Sequence, residues 1–171
     1  MTQTDHELFD AAERNLVQIH AFFPRIDARV SAIFAITSGQ IAIATLNISG
    51  DQFLRADVFV LLVLFLICAA GTIFNLYWCT YPDLAGGDKS LIYFREIATK
   101  NETDFVAEYE ATDLKALRHE VLRQVWRNSV IVQKKYEFLK MATLCTGISV
   151  VPWTLLLASV SAKYGKISIG G

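Results

Sequence analysis

Charge is missing from three long stretches of this 171-residue chain: Val30 to Ile48, Val58 to Pro82 and Met141 to Ala162 contain no Asp, Glu, Lys or Arg. A bilayer core is crossed by about 20 apolar helical residues. Backbone groups in lipid must be satisfied within their own segment, so each run reads as a transmembrane helix. A soluble bundle would show a polar edge within runs of this length. Spans without Asp, Glu, Lys or Arg lack the usual side chains that bind an ion or relay a proton, which argues against a pump or coupled transporter.

Cysteine is scarce as well. Cys68, Cys79 and Cys145 lie far apart, without the paired spacing of a zinc or redox motif. His6, His20 and His119 form no spaced ligand set, so no metal site and no cofactor are expected. Gly86-Gly87 has no P-loop lysine and hydroxyl behind it, and no nucleophile elbow occurs. Neighbouring carboxylates occur only in an acidic block that reads as solvated helix surface. The chain is therefore expected not to be an enzyme, and nothing in it points to nucleic acid.

What is present divides into five segments. Residues 1–29 read as an amphipathic helix, with Phe9, Leu16, Val17, Ile19, Phe22 and Phe23 apolar between charges; Thr4 and Glu7 have the spacing of a capping box, and Pro24 predicts a break just before it. This segment holds five acids against three bases, unlike a signal peptide, so the first span is expected to be a mature helix. Residues 30–82 read as two spans in an antiparallel hairpin, turned by Gly50 and Asp51. Tyr81-Pro82 ends the second span, and Gly86-Gly87-Asp88 marks a turn. Residues 83–140 form an aqueous helical region, 141–162 the third span and 163–171 a tail.

The predicted fold is thus an all-α membrane protein with three transmembrane helices and a cytoplasmic helical domain between the second and third. Leu114, Leu117, Val121, Val125, Val132, Tyr136 and Leu139 follow steps of three and four, and no breaker separates Leu139 from Met141. The last helix is therefore expected to be long and to run continuously into the membrane. Arg25, Arg29, Lys134, Lys135 and Lys140 flank the spans on one side, against Arg55, Lys163 and Lys166 on the other. The positive-inside bias puts the N-terminus and residues 83–140 in the cytoplasm.

Ser31, Ala35 and Gly39 recur every four residues in the first span, with Gln40 beside them. Such a stripe lets helices approach closely, within one subunit or between subunits. Pro152 can bend the third span.

From Glu102 to Asp113 there are five acids and no base, and from Lys115 to Lys140 seven bases against two acids. Arg123, Arg127 and Lys134 fall within about 40° of one another on a helix. Gln124, Asn128 and Lys135 lie beside them. Arg29, Lys135 and Lys140, at the mouths of spans, suit lipid headgroups. Arg123 and Arg127 would stand roughly 20 to 27 Å from the start of the span, which suits either a soluble anion or the chain's own acidic block.

With these residues in view the sequence resembles the membrane effectors of Pycsar antiphage systems over most of residues 10–160. The resemblance rests on Asp27-Ala28-Arg29-Val30-Ser31, where the family has an Asp-x-Lys-Ala type motif, and on Tyr81-Pro82 followed by the aromatic segment from Leu91 to Ala98. A third motif runs from Asn128 to Lys140. The departures are Arg29, where lysine is usual, and Val130 and Gln133 in the last motif.

The resemblance implies an inner-membrane, multi-pass effector of abortive infection that senses a cyclic nucleotide, cyclic UMP or cyclic CMP, made by a partner cyclase. Its helices would oligomerise or rearrange to impair the bilayer, and a homo-oligomer is expected because three helices cannot enclose an aqueous hole. A phosphate of the ligand would pair with Arg95, Arg123, Arg127 or Lys134, Gln124 or Asn128 would read an edge of the base or ribose, and Tyr93, Phe94 or Tyr136 would stack. The rival expectations are a membrane scaffold that binds another protein and no small molecule, and an ion channel without a soluble trigger.

Overall fold

The computed structural model describes residues 3–81, 87 and 90–164. Every regular element among them is helical: α1 Gln3–His20, α2 Phe22–Asn47, a 3-10 turn Gly50–Leu54, α3 Ala56–Thr80, α4 Phe94–Ile97, α5 Glu102–Ala111 and α6 Leu114–Tyr164. Three helical stretches, Gln3–Asn47, Ala56–Thr80 and Leu114–Ser161, are long and apolar enough to cross a membrane. Pro82, Gly86, Asp88 and Lys166, and with them most of the predicted turn and tail, lie outside the described residues.

Local chemistry sets several element ends. The predicted break falls at Ala21, because the ring of Pro24 conflicts with the carbonyl four residues earlier, that of His20. Pro24 itself then sits in the first turn of α2, where a missing N–H costs no helical bond. The expected capping box at Thr4 gives way to a helix that already includes Gln3. At α5, Asn101 is the N-cap, its Oδ1 accepting from the Asp104 N–H at 2.9 Å. At α6, the Asp113 carboxylate accepts from the Ala116 N–H at 2.7 Å. The α2–α3 connection is locked by Gln52, whose Oε1 accepts from the Ser49 N–H while its own N–H donates to the Ser49 oxygen.

The chain divides into two compact units, one of residues 1–25 and 82–134, the other of 26–81 and 135–171. The second is the membrane unit. Its core is Ala44, Val58, Phe65, Ala69 and Leu156, with Ile41, Leu62 and Trp153 packed against them. A polar seam runs through the same interior. Gln40 Oε1 accepts from Ser149 Oγ at 3.1 Å, the Gln40 main-chain oxygen accepts from Trp153 Nε1 at 3.0 Å, and the Thr72 and Thr146 hydroxyls lie 3.2 Å apart. Bonds of this kind fix which face of each helix turns inward where lipid and core are equally apolar. Phe34, Ile43, Phe59, Ile67, Phe74, Ile148 and Leu155 point outward and exposed, as lipid-facing side chains do.

Of the two uses open to the small-residue stripe, packing within the chain is not the one seen: α2 turns a different face inward. Thr37, Gln40 and Ala44 are buried, whereas Ser31 and Ala35 are exposed and Gly39 is half-buried with open space where a Cβ would stand. Ser31 Oγ donates instead to the Asp27 carbonyl of its own helix. Gln40 is the one member of that group that packs, through its bonded amide.

The other unit collects α1, α4, α5 and the first part of α6. Ala12, Leu91, Tyr93 and Val121 form its buried apolar set. Arg118 faces Asp5 of α1 at 3.8 Å, Asn128 bonds the His20 ring nitrogen at 2.9 Å, and Lys100 pairs with Glu108. The acidic block does not take the two outlying arginines: among the described residues Arg123 pairs with Glu120 and Arg127 lies over Tyr93.

Candidate functional site

Residues 119 to 127 of α6 and the segment around Gly87 and Ser90 border a half-open cavity of about 470 Å³. His119, Glu120, Leu122, Arg123, Gln124, Trp126 and Arg127 line it, with Gly87 and Ser90 opposite. Steps of three and four bring Glu120, Arg123, Gln124 and Arg127 to one side of the helix.

The wall facing α6 is held by one hydroxyl. Ser90 Oγ donates to Glu120 Oε2 at 2.6 Å and accepts from the N–H groups of Ile92 and Tyr93, both at 3.2 Å. The Leu91 N–H also donates to Glu120 Oε2, at 3.3 Å. A carboxylate accepting from hydroxyl and amide together is a strong, charge-assisted tether. Gly87, at φ 86°, occupies the left-handed region that glycine enters freely, and any Cβ there would overlap the Tyr93 ring. The guanidinium of Arg127 lies 5.2 Å from the Tyr93 ring centre, a cation–π contact that ties the same wall to α6 a second time.

The result is a rim with two guanidinium groups, one carboxylate, one carboxamide, an imidazole and an indole. Gln124 is buried, Arg127 half-buried, and Trp126 stands 71% exposed at the cavity. Glu120 Oε1 faces Arg123 at 3.9 Å, the second oxygen of the same carboxylate being committed to Ser90.

Of the residues singled out from sequence, Arg123, Gln124 and Arg127 line this cavity together and Tyr93 joins through Arg127. Asn128 is engaged with His20. Arg95 lies on α4, and Lys134, seven residues beyond Arg127, is roughly 10 Å further along the helix. Neither lines the cavity. Tyr136 belongs to the membrane unit and lines a different recess, with Arg29 and Lys140. Lys135 Nζ donates to the Cys79 carbonyl. Ser90, Glu120 and Trp126 escaped sequence reasoning. Glu120 and Trp126 do sit one turn from Arg123, but nothing local marks a carboxylate that will bond a hydroxyl thirty residues away.

The sequence pattern of the Pycsar effector protein domain matches residues 11–162. The chain belongs to the Pycsar effector family. Every element described above except the ends of α1 and α6 lies inside the matched span. As a Pycsar effector it is an antiphage protein of cyclic-nucleotide signalling, and its three apolar helices suit a transmembrane member. No curated protein matches the chain, and no solved structure does.

Proposed function

We propose that the cavity beside α6 is the messenger site, taking a cyclic pyrimidine mononucleotide, cyclic UMP or cyclic CMP, made by a partner cyclase. The observation that carries this is the convergence of Arg123 and Arg127 with Gln124 and Trp126 on a single cavity in a Pycsar effector. The guanidinium groups suit a phosphodiester anion, which Arg binds through paired N–H donors. Trp126 offers a face for the base, and the Gln124 carboxamide can both donate to and accept from its edge.

Binding acts on the membrane helices only as far as one arrangement holds the ligand better than another. α6 supplies both the cavity and part of the membrane unit's core, so it is the element through which that preference is expressed. In this reading the protein is a non-enzymatic effector of the inner membrane with its N-terminus in the cytoplasm. Several copies assemble, and their rearranged helices impair the bilayer and end the infection.

The test is thermal unfolding of the full-length protein in detergent with cyclic UMP, CMP, AMP and GMP. A ligand at about 100 times its dissociation constant adds about 2.7 kcal/mol to the state it binds. The expected result is a rise in melting temperature with a pyrimidine nucleotide, lost in Arg123→Gln and Arg127→Gln, and ligand-dependent dye release from vesicles. No shift with any nucleotide would return the chain to the membrane-scaffold reading. Dye release without nucleotide would favour an untriggered channel.

A further inference from the structure

Arg29 and Lys140 are the last charged residues before two uncharged spans, which begin at Val30 and Met141. In the membrane unit both line one recess of about 400 Å³, together with Ala32, Ile33, Tyr136 and Leu139. Neither cation has a hydrogen bond or ion pair among the described residues, although Arg55, Lys100, Arg118, Arg123 and Lys135 all have one. Two unpaired cations held at one recess, at the depth where lipid headgroups begin, make a site for an anion that arrives with an apolar tail.

The aromatic residues support that depth. Tyr77, Trp78 and Tyr81 at the end of α3 are exposed and meet one another edge-on or tilted, with ring centres 5.5 to 5.7 Å apart. Such a girdle marks the boundary between headgroups and hydrocarbon. The neighbouring Cys79 carbonyl is bonded by Lys135, five residues ahead of Lys140, so α3 and α6 meet near that boundary.

We propose that this recess binds one acidic phospholipid. Its phosphate sits between Arg29 and Lys140, and an acyl chain follows Ala32, Ile33 and Leu139 toward the bilayer centre. Charge complementarity and an apolar floor select a lipid over a free anion, which would find no use for the floor. The site is separate from the α6 cavity and does not depend on the nucleotide reading.

Native mass spectrometry of the full-length protein released from nanodiscs of equal parts phosphatidylglycerol and phosphatidylcholine tests this. Each cation near an anionic surface favours it roughly fivefold, so a preference of about 25-fold for one bound phosphatidylglycerol is expected in the native chain. The double variant Arg29→Gln, Lys140→Gln should bring the ratio near one, each single variant should lose about fivefold, and Arg29→Lys, Lys140→Arg should keep the preference. An even ratio in the native chain, or one that the glutamine variants leave unchanged, would overturn the proposal. So would displacement of the lipid by inorganic phosphate, which would reassign the recess to a soluble anion.

Discussion

Lys135 Nζ donates to the main-chain oxygen of Cys79, and the Cys79 thiol donates back to the main-chain oxygen of Lys135 at 3.4 Å. Cys79 is the penultimate residue of α3, so its carbonyl is among the last four, which have no partner in the helix. A cation there also meets the negative end of the helix dipole, worth about 0.3 to 1 kcal/mol when exposed and about 2 when partly buried. Lys135→Met should therefore lower unfolding stability by about 1 kcal/mol, with Lys135→Arg retaining most of it. Circular-dichroism melting in detergent reads the difference, and three identical melting curves would show that the contact contributes nothing.

The Glu120 tether makes a second expectation. Hydrogen bonds to a charged group contribute about 1.5 to 3 kcal/mol, so Glu120→Ala should destabilise by about 2 kcal/mol. Ser90→Ala removes the other end of the main contact. The double variant should cost clearly less than the sum of the singles, since both delete one interaction. Additive losses would mean that Glu120 and Ser90 act separately.

Thr37 is 1% exposed and its hydroxyl has no hydrogen-bond partner among the described residues. Leaving a buried hydroxyl unsatisfied costs about 1 to 3 kcal/mol, and valine fills nearly the same space without it. Thr37→Val is expected to raise the melting temperature, whereas Thr37→Ala, which leaves a void, should not. A lower melting temperature for Thr37→Val would reveal a partner such as ordered water.

Thr72 and Thr146 each lie within bonding distance of a carbonyl in their own helix, those of Cys68 and Ala142, as well as of each other. Two hydroxyls have two protons, so only two of these three bonds form at once. A double-mutant cycle with Thr72→Val and Thr146→Val should return a coupling of about 0.6 kcal/mol, the usual value for such pairs in membranes. Zero coupling would mean that both protons stay with the local carbonyls.

The spans were legible because absence of charge over a whole helix is a strong, local signal, and the same is true of the uninterrupted pattern leading into α6. Helical period also put Arg123, Gln124 and Arg127 on one face. It could not separate Lys134 from them, because angle on a helix says nothing of distance along it. Ser31, Ala35 and Gly39 form a stripe as regular as any, yet α2 turns Thr37, Gln40 and Ala44 inward. That choice is made by Ser149 and Trp153, more than a hundred residues away. The Ser90–Glu120 bond and the role of Lys135 likewise depend on contacts between distant segments, which no short window of sequence contains.

The three tryptophans occupy three different surroundings: Trp78 within the aromatic girdle, Trp153 bonded to Gln40, and Trp126 most open to solvent. Iodide added to the buffer should therefore dim chiefly the emission of Trp126. The share of emission that iodide dims thereby reports occupancy at the rim of the α6 cavity, with no label attached.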